Sequence, residues 1–215
     1  FQALFGEWKD DEHRLGGALL YAFPNQPENI SSEGDVTRVY HQQISSPVRA
    51  AWTYPRIFER NQVGPMGNTS FSGTVDCSFT YGNSCILIGE LKSSGTVGLQ
   101  WTDSNKSSTN KSRLGKELRG YAYHYNCPQT FCYDGLHLLI LRFRASSRED
   151  IKQCQADCWV VPTSSTATTS SIRYAFYCLL SEGFHRVVSQ IIQHHAVNIG
   201  HYQRRFEWFS GKPCW

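Results

Sequence analysis

The sequence predicts a mixed α/β fold, a central sheet flanked by helices. Three observations carry that expectation. Apolar residues recur with a helical period at 33–44 and 112–125. Short apolar and β-branched runs at 71–81, 85–91, 130–133, 136–143 and 159–161 are bounded by turn residues. The two kinds of segment interleave along the chain instead of segregating. With 215 residues, 40% of them hydrophobic and 18% charged, the chain can bury a core and is not a disordered polymer. No internal period is visible, so residues 1–215 read as one domain, with a core at about 33–161 and a helical extension at about 172–215.

Taken in order, Leu15–Tyr21 would form a short helix or strand that Pro24 and Pro27 end. Ser31 or Ser32 would cap a helix from Glu33 to Ile44, with Val36, Val39, Tyr40 and Ile44 on one side. Pro47 suits the first turn of a second helix, expected over about 47–60 and bent at Pro55. Residues 61–70, with Gly64, Pro65 and Gly67, read as a loop. Two strands then flank Gly82-Asn83-Ser84, and Ile86-Leu87-Ile88 has the density of a strand buried on both faces. A Ser/Thr/Gly-rich loop at 93–110 precedes the helix of Leu114, Leu118, Tyr121 and Tyr125. Asp134-Gly135 marks a hairpin between two further strands. Thr163–Ser171 is a linker into a long helix at about 172–195, and Phe206–Phe209 reads as a last strand.

Charge and cysteine usage bound the function classes. The formal net charge of +3 excludes a polybasic tail but leaves room for a local basic groove. No apolar run approaches the roughly 20 residues of a membrane span, so no membrane partner is expected. The eight cysteines are irregularly spaced, with no C-x-x-C pair. Buried free thiols are the expectation, against a zinc site from Cys127, Cys132, Cys154 and Cys158 or a disulfide between Cys77 and Cys85. That favours an intracellular chain, nuclear or cytoplasmic. Asn29, Asn68, Asn105 and Asn110 head N-x-S/T triplets that would suit glycosylation of a secreted one. Adjacent His194 and His195 would point about 100° apart on a helix with no acidic residue following at helical spacing, so these two, with His185 and His201, read as solvated or partly packed.

The chemistry concentrates at Asp76 and at Glu90-Leu91-Lys92, which end the two strands of a hairpin. Glu90 and Lys92 share one face of a strand, and hairpin pairing would place Asp76 opposite position 90. Two hard carboxylates can hold Mg²⁺ or Mn²⁺ and leave positions open to water. Such an ion polarises a phosphodiester oxygen and activates water. Lys92 would orient that water or stabilise charge on the phosphorus oxygens. Burial would lower the Lys92 pKa and the carboxylates would raise it, and the sequence leaves both outcomes open.

With these residues in place the chain resembles the PD-(D/E)xK nuclease superfamily, over roughly residues 33–161. The match is Asp76 followed by Glu90-Leu91-Lys92 after an apolar strand, although Val75 stands where a proline often precedes the aspartate. The texture of 138–143 and the cysteine-rich second half is similar to fungal members of that group. The resemblance implies a restriction-endonuclease-like core and a metal-dependent nuclease acting on nucleic acid, DNA in preference to RNA. It implies a further acidic ligand on the first helix, for which Glu33 and Glu59 are both candidates. The helix bearing Arg119 and Tyr121 looks like the substrate-facing helix of the family, and Arg113 and Lys116 would help seat a phosphate backbone.

Bland readings stand beside these. Asp76, Glu90 and Lys92 could form only an edge-strand ion pair, leaving a catalytically inactive nucleic-acid-binding or protein-interaction domain. Arg113, Lys116 and Arg119 could be a solvated helix face. Trp101 could stack a base or simply pack. Phe206, Trp208 and Phe209 could finish the core or meet a second copy in a homodimer.

Overall fold

The computed structural model describes residues 30–52, 54–65, 71–102, 109–163, 172–193 and 205–214. The expected element at 15–21, His194, His195, His201 and most of the 163–171 linker lie outside the described residues.

The chain enters through α1 (Glu33–Val39), whose start is a capping box. The Ser32 hydroxyl accepts from the Asp35 amide at 3.1 Å, and the Asp35 carboxylate accepts from the Ser32 amide at 3.1 Å. One wide π turn (Tyr40–Ser45) leads into α2 (Ser46–Ala50). Pro47 has no amide to offer the Gln43 carbonyl, and that carbonyl accepts instead from Arg173 Nε at 2.6 Å.

The expected second helix over 47–60 is corrected here. The helix stops at Ala50, Pro55 cannot carry it on, and Phe58–Val63 forms strand β1. Part of the expected loop at 61–70 is therefore strand. β2 (Val75–Tyr81) and β3 (Ser84–Leu91) form the expected hairpin, with Gly82 at φ +57° in its turn. After a short helical turn at Leu99–Trp101 comes α3 (Thr109–His124). Asn126, at φ +53°, ends it, and the Cys127 amide returns to the Ala122 carbonyl at 2.9 Å. Then follow β4 (Gln129–Tyr133), β5 (His137–Phe143) and β6 (Ala156–Pro162). The long helix α4 spans Ile172–Gln193. The last expected strand is shorter than 206–209: β7 (Arg205–Phe206) pairs with β8 (Pro213–Cys214).

The six-stranded sheet runs in sequence order, β1 to β6, and every pairing is antiparallel except β3 with β4. Two parallel neighbours need a crossover, and α3 supplies it. One face of the sheet packs Val36, Tyr40, Ile44, Phe79, Leu87, Phe131 and Phe176 from α1, the π turn, the strands and α4. The other face packs Leu114, Leu118 and Ala122 of α3 on Cys132, Leu139, Leu141 and Phe143. Trp101 joins that second layer at 7% exposure, so it packs. The dense run Ile86-Leu87-Ile88 is buried throughout, as expected of a central strand. All eight cysteines are free thiols, and Cys85 faces Thr80 across the hairpin, not Cys77.

The 22-residue α4 carries Arg173, Glu182 and Arg186, and among the described residues no helix is long and apolar enough to cross a membrane. It lies directly on β3. A Cβ at Gly183 would stand 1.9 Å from the Ile86 carbonyl oxygen. Gly183→Ala is therefore expected to cost about 1–3 kcal/mol or more in a urea titration, because strand and helix must part. Gly120→Ala, with nothing within 4 Å of the new Cβ, is expected to leave stability unchanged or raise it by up to about 1 kcal/mol.

Candidate active site

The β2–β3 register places Cys77 opposite Gly89, so Asp76 and Glu90 are neighbours at the next step of the hairpin. The Asp76 carboxylate reaches across and accepts from the Leu91 amide at 2.7 Å. Glu90 is 6% exposed. One of its oxygens accepts from Lys92 Nζ at 2.7 Å, while the other, Oε2, is buried with no hydrogen-bond partner. Lys92 Nζ also reaches Glu117 Oε1 of α3 at 3.3 Å, and the Tyr121 hydroxyl donates to that same oxygen at 3.1 Å. The strand pair and the crossover helix thus bring together Asp76, Glu90, Lys92, Glu117 and Tyr121.

The loop after Lys92 is held rather than loose. Lys92 donates its amide to the Tyr133 carbonyl at 3.0 Å, continuing the β3–β4 ladder. Asp134, fully buried, accepts from the amides of Gly95 and Val97 with one oxygen and from those of Leu136 and His137 with the other. Four amide dipoles stabilise a carboxylate that has left water. The loop that carries the site is tied through it to the β4–β5 turn.

Burial sets the electrostatics. It pushes the Glu90 carboxyl up to about 7, with the charges of Asp76 and Glu117 acting in the same direction and Lys92 only partly offsetting them. For Lys92, burial acts to lower the pKa, but the contacts with Glu90 and Glu117 outweigh it and the pKa rises. The question left open by the sequence is thereby decided: Lys92 is a committed cation at neutral pH. It can hold or donate a proton but not take one. Tyr121 is likewise pushed up, by burial and then by Glu90 and Glu117, so its hydroxyl stays protonated.

The other sequence candidates fall elsewhere. Glu59 stands on β1 opposite Phe79, which packs on the α1 side of the sheet. Its carboxylate is held by the Ser45 hydroxyl at 2.5 Å and Arg49 at 2.7 Å, with His41 at 3.5 Å. Strand alternation puts Asp76 on the opposite face, so the structure does not bring Glu59 to the pair. Glu33 is exposed in the first turn of α1. Arg119 donates to the carbonyls of Ile151 at 2.5 Å and Cys154 at 2.9 Å and lies over the Phe143 ring. With Lys116 it lines a different cavity, between α3 and β5–β6, and Arg113 is exposed. Among these helix residues only Tyr121 meets the carboxylates.

Glu117 was missed in the sequence. The signal was there: it lies three residues after Leu114 and four before Tyr121, an acidic residue on the buried stripe of α3. Among the described residues no group of three or more His, Cys, Asp or Glu side chains is placed to hold a metal ion, which leaves the Asp76–Glu90 carboxylates to be weighed as a pair. That pair is compatible with a small hard cation: Mg²⁺ is commonly bound through one or two carboxylates and keeps its waters, and Glu90 Oε2 has no hydrogen-bond partner. No protein-family model, no curated protein and no solved structure matches the chain.

The Glu90 shift makes a pH prediction. The folded state favours the protonated carboxyl, so the stability it contributes is complete below pH 4.5 and is lost as pH rises through about 7. In urea titrations without divalent metal, the difference in stability between the wild type and Glu90→Gln should shift against the wild type over that window and level off above it. A difference that stays flat from pH 4 to 8 would contradict the assignment.

Proposed function

We propose that the chain is a metal-dependent nuclease that hydrolyses phosphodiester bonds, with DNA as the preferred substrate over RNA. One observation carries the reading: a buried, partnerless oxygen on Glu90, beside Asp76 and in contact with Lys92. A folded chain leaves a carboxylate in that condition at a cost, and such costs gather at functional sites. The order of elements supports it as well. A helix, a three-stranded antiparallel meander, a crossover helix and a parallel fourth strand put the aspartate on the second strand and Glu-x-Lys at the end of the third. That order accords with a restriction-endonuclease-like core and with the PD-(D/E)xK resemblance.

Asp76 and Glu90 would hold Mg²⁺ or Mn²⁺, which would polarise a phosphodiester oxygen and lower the pKa of bound water. The rest is done by the chain. Lys92, a fixed cation, donates a hydrogen bond to an oxygen whose negative charge grows during attack. Glu117 holds the Lys92 ammonium from above, and Tyr121 steadies Glu117. The Leu91 amide fixes the Asp76 carboxylate toward β3. With the Glu90 carboxyl pushed up to about 7, a bound cation would displace its proton and supply the charge that Lys92 alone does not.

The test is cleavage of plasmid and single-stranded DNA with Mg²⁺ or Mn²⁺, with EDTA as the control. Asp76→Asn and Lys92→Ala are each expected to lower the rate by about 100-fold or more. Unchanged cleavage by Lys92→Ala would overturn the mechanism. A second measurement separates an inactive domain from an active one. Mn²⁺ should raise the melting temperature of the wild type and not of Glu90→Gln, since ligand that binds only the folded state stabilises it. No cleavage and no Mn²⁺ response would leave the triad a structural ion pair.

A further inference from the structure

A cavity of about 310 Å³ opens toward the hairpin end of β2 and β3, away from the carboxylates. Arg60, Arg148, Arg186 and His124 line it, and no Asp or Glu does among the described residues. Arg186 is 1% exposed. A guanidinium so deeply placed normally has a carboxylate partner. The other buried arginine of the fold, Arg142, is clasped by Asp157 at 2.6 Å and Glu182 at 3.2 Å. Among the described residues the acceptors of Arg186 are Gln129 Oε1 at 2.9 Å, the Cys85 carbonyl at 2.5 Å and Cys127 Sγ at 3.9 Å. Among the described residues no carboxylate lies within ion-pair distance of it.

A second observation points into the same cavity. Thr80, 2% exposed, lines its wall, and the Thr80 hydroxyl is buried without a hydrogen-bond partner. Burial, and then the charges of Arg148 and Lys152, hold the His124 imidazole below its usual range. A guanidinium without a carboxylate and an unused hydroxyl lining one cavity are complementary to a small oxyanion.

We propose that this cavity binds a phosphate group, held by Arg186 and Arg148, closed by Arg60 at the rim and bonded to the Thr80 hydroxyl. Its position suggests whose phosphate it is. Asp76, Ser78 and Thr80 alternate onto one face of β2, so Thr80 lies about 13 Å along the strand from Asp76. A stacked nucleic-acid strand advances about 3.4 Å per nucleotide along its axis while its phosphates wind around it, so the phosphate would belong to the same strand a few nucleotides from the bond being cut. This last step rests on the nuclease reading, whereas the oxyanion site does not.

The experiment uses the full chain in EDTA with inorganic phosphate as the probe, titrated against chloride at matched ionic strength. Melting temperature and calorimetry report binding. Phosphate should raise the melting temperature of the wild type. Thr80→Val and Arg60→Ala should each weaken phosphate binding about tenfold while melting near the wild type without phosphate. Both positions avoid the risk that a variant of buried Arg186 fails to fold. Lys92→Ala should bind phosphate normally whether or not it cleaves, which separates this site from the carboxylate site. No response in the wild type, full affinity in both cavity variants, or lost affinity in Lys92→Ala would each overturn the proposal. A DNA oligonucleotide with a terminal phosphate, compared by fluorescence anisotropy with the same oligonucleotide lacking it, distinguishes the source. Tighter binding that Thr80→Val abolishes supports a strand phosphate. Equal binding of the two oligonucleotides overturns the strand assignment and leaves free phosphate as the ligand.

Discussion

The parallel pairing of β3 with β4 is the constraint on which the rest of the structure depends. Residues Ile88 to Leu91 run beside Thr130 to Tyr133 in the same direction. Two such strands cannot be joined by a turn, so the chain must leave the sheet and return, and α3 fills the excursion. That crossover lays Glu117 and Tyr121 over the end of β3, against Lys92. The pairing also demands Gly89, since a Cβ there would meet the Phe131 ring at 2.0 Å. With strands on both sides and cores on both faces, β3 delivers Glu90 into a place with little water.

The buried charges of the fold divide by how they are satisfied. Asp134 accepts from four backbone amides, and Arg142 sits between Asp157 and Glu182. These are closed systems, and they pin a loop and the β5–β6 edge to α4. Glu90 and Arg186 are open ones, the first with an unused oxygen and the second without a carboxylate. Both lie near β3, toward opposite ends of the strand. Natural folds break the rule of complete polar satisfaction chiefly where something else is to bind. Glu90 thus leaves an unsatisfied oxygen at one end of β3, and Arg186 of α4 a guanidinium without a carboxylate toward the other.

Some of this was legible residue by residue. The capping box at Ser32, the Gly82 turn, the Asp134-Gly135 turn and the Leu114/Leu118 stripe are local signals with local causes, and each appears in the structure. β1 was not legible. Phe58–Val63 is an edge strand with mostly exposed side chains, so it has neither the apolar run nor the alternation that marks a strand. Its partner β2 makes it a strand. Arg119 illustrates the opposite error. Helical spacing put it on a polar face, but β6 and the turn before it cover that face, and the carbonyls of Ile151 and Cys154 take up its donors.

The sequence by itself determined the α/β class and the hairpin. The two-residue turn alone would set Asp76 opposite Gly89, and a one-residue register shift between Phe79 and Thr80 brings it to Glu90. Tertiary structure alone decided their chemistry. Lys92 stays charged because Glu90, and then Glu117, 25 residues away in the chain, together outweigh burial. Whether Glu59 could join the pair depended on which face of β1 it occupies, and so on a strand the sequence did not announce. Charges act through space at a few ångströms, and the distances between distant segments are set by how the crossover packs, which no local pattern encodes.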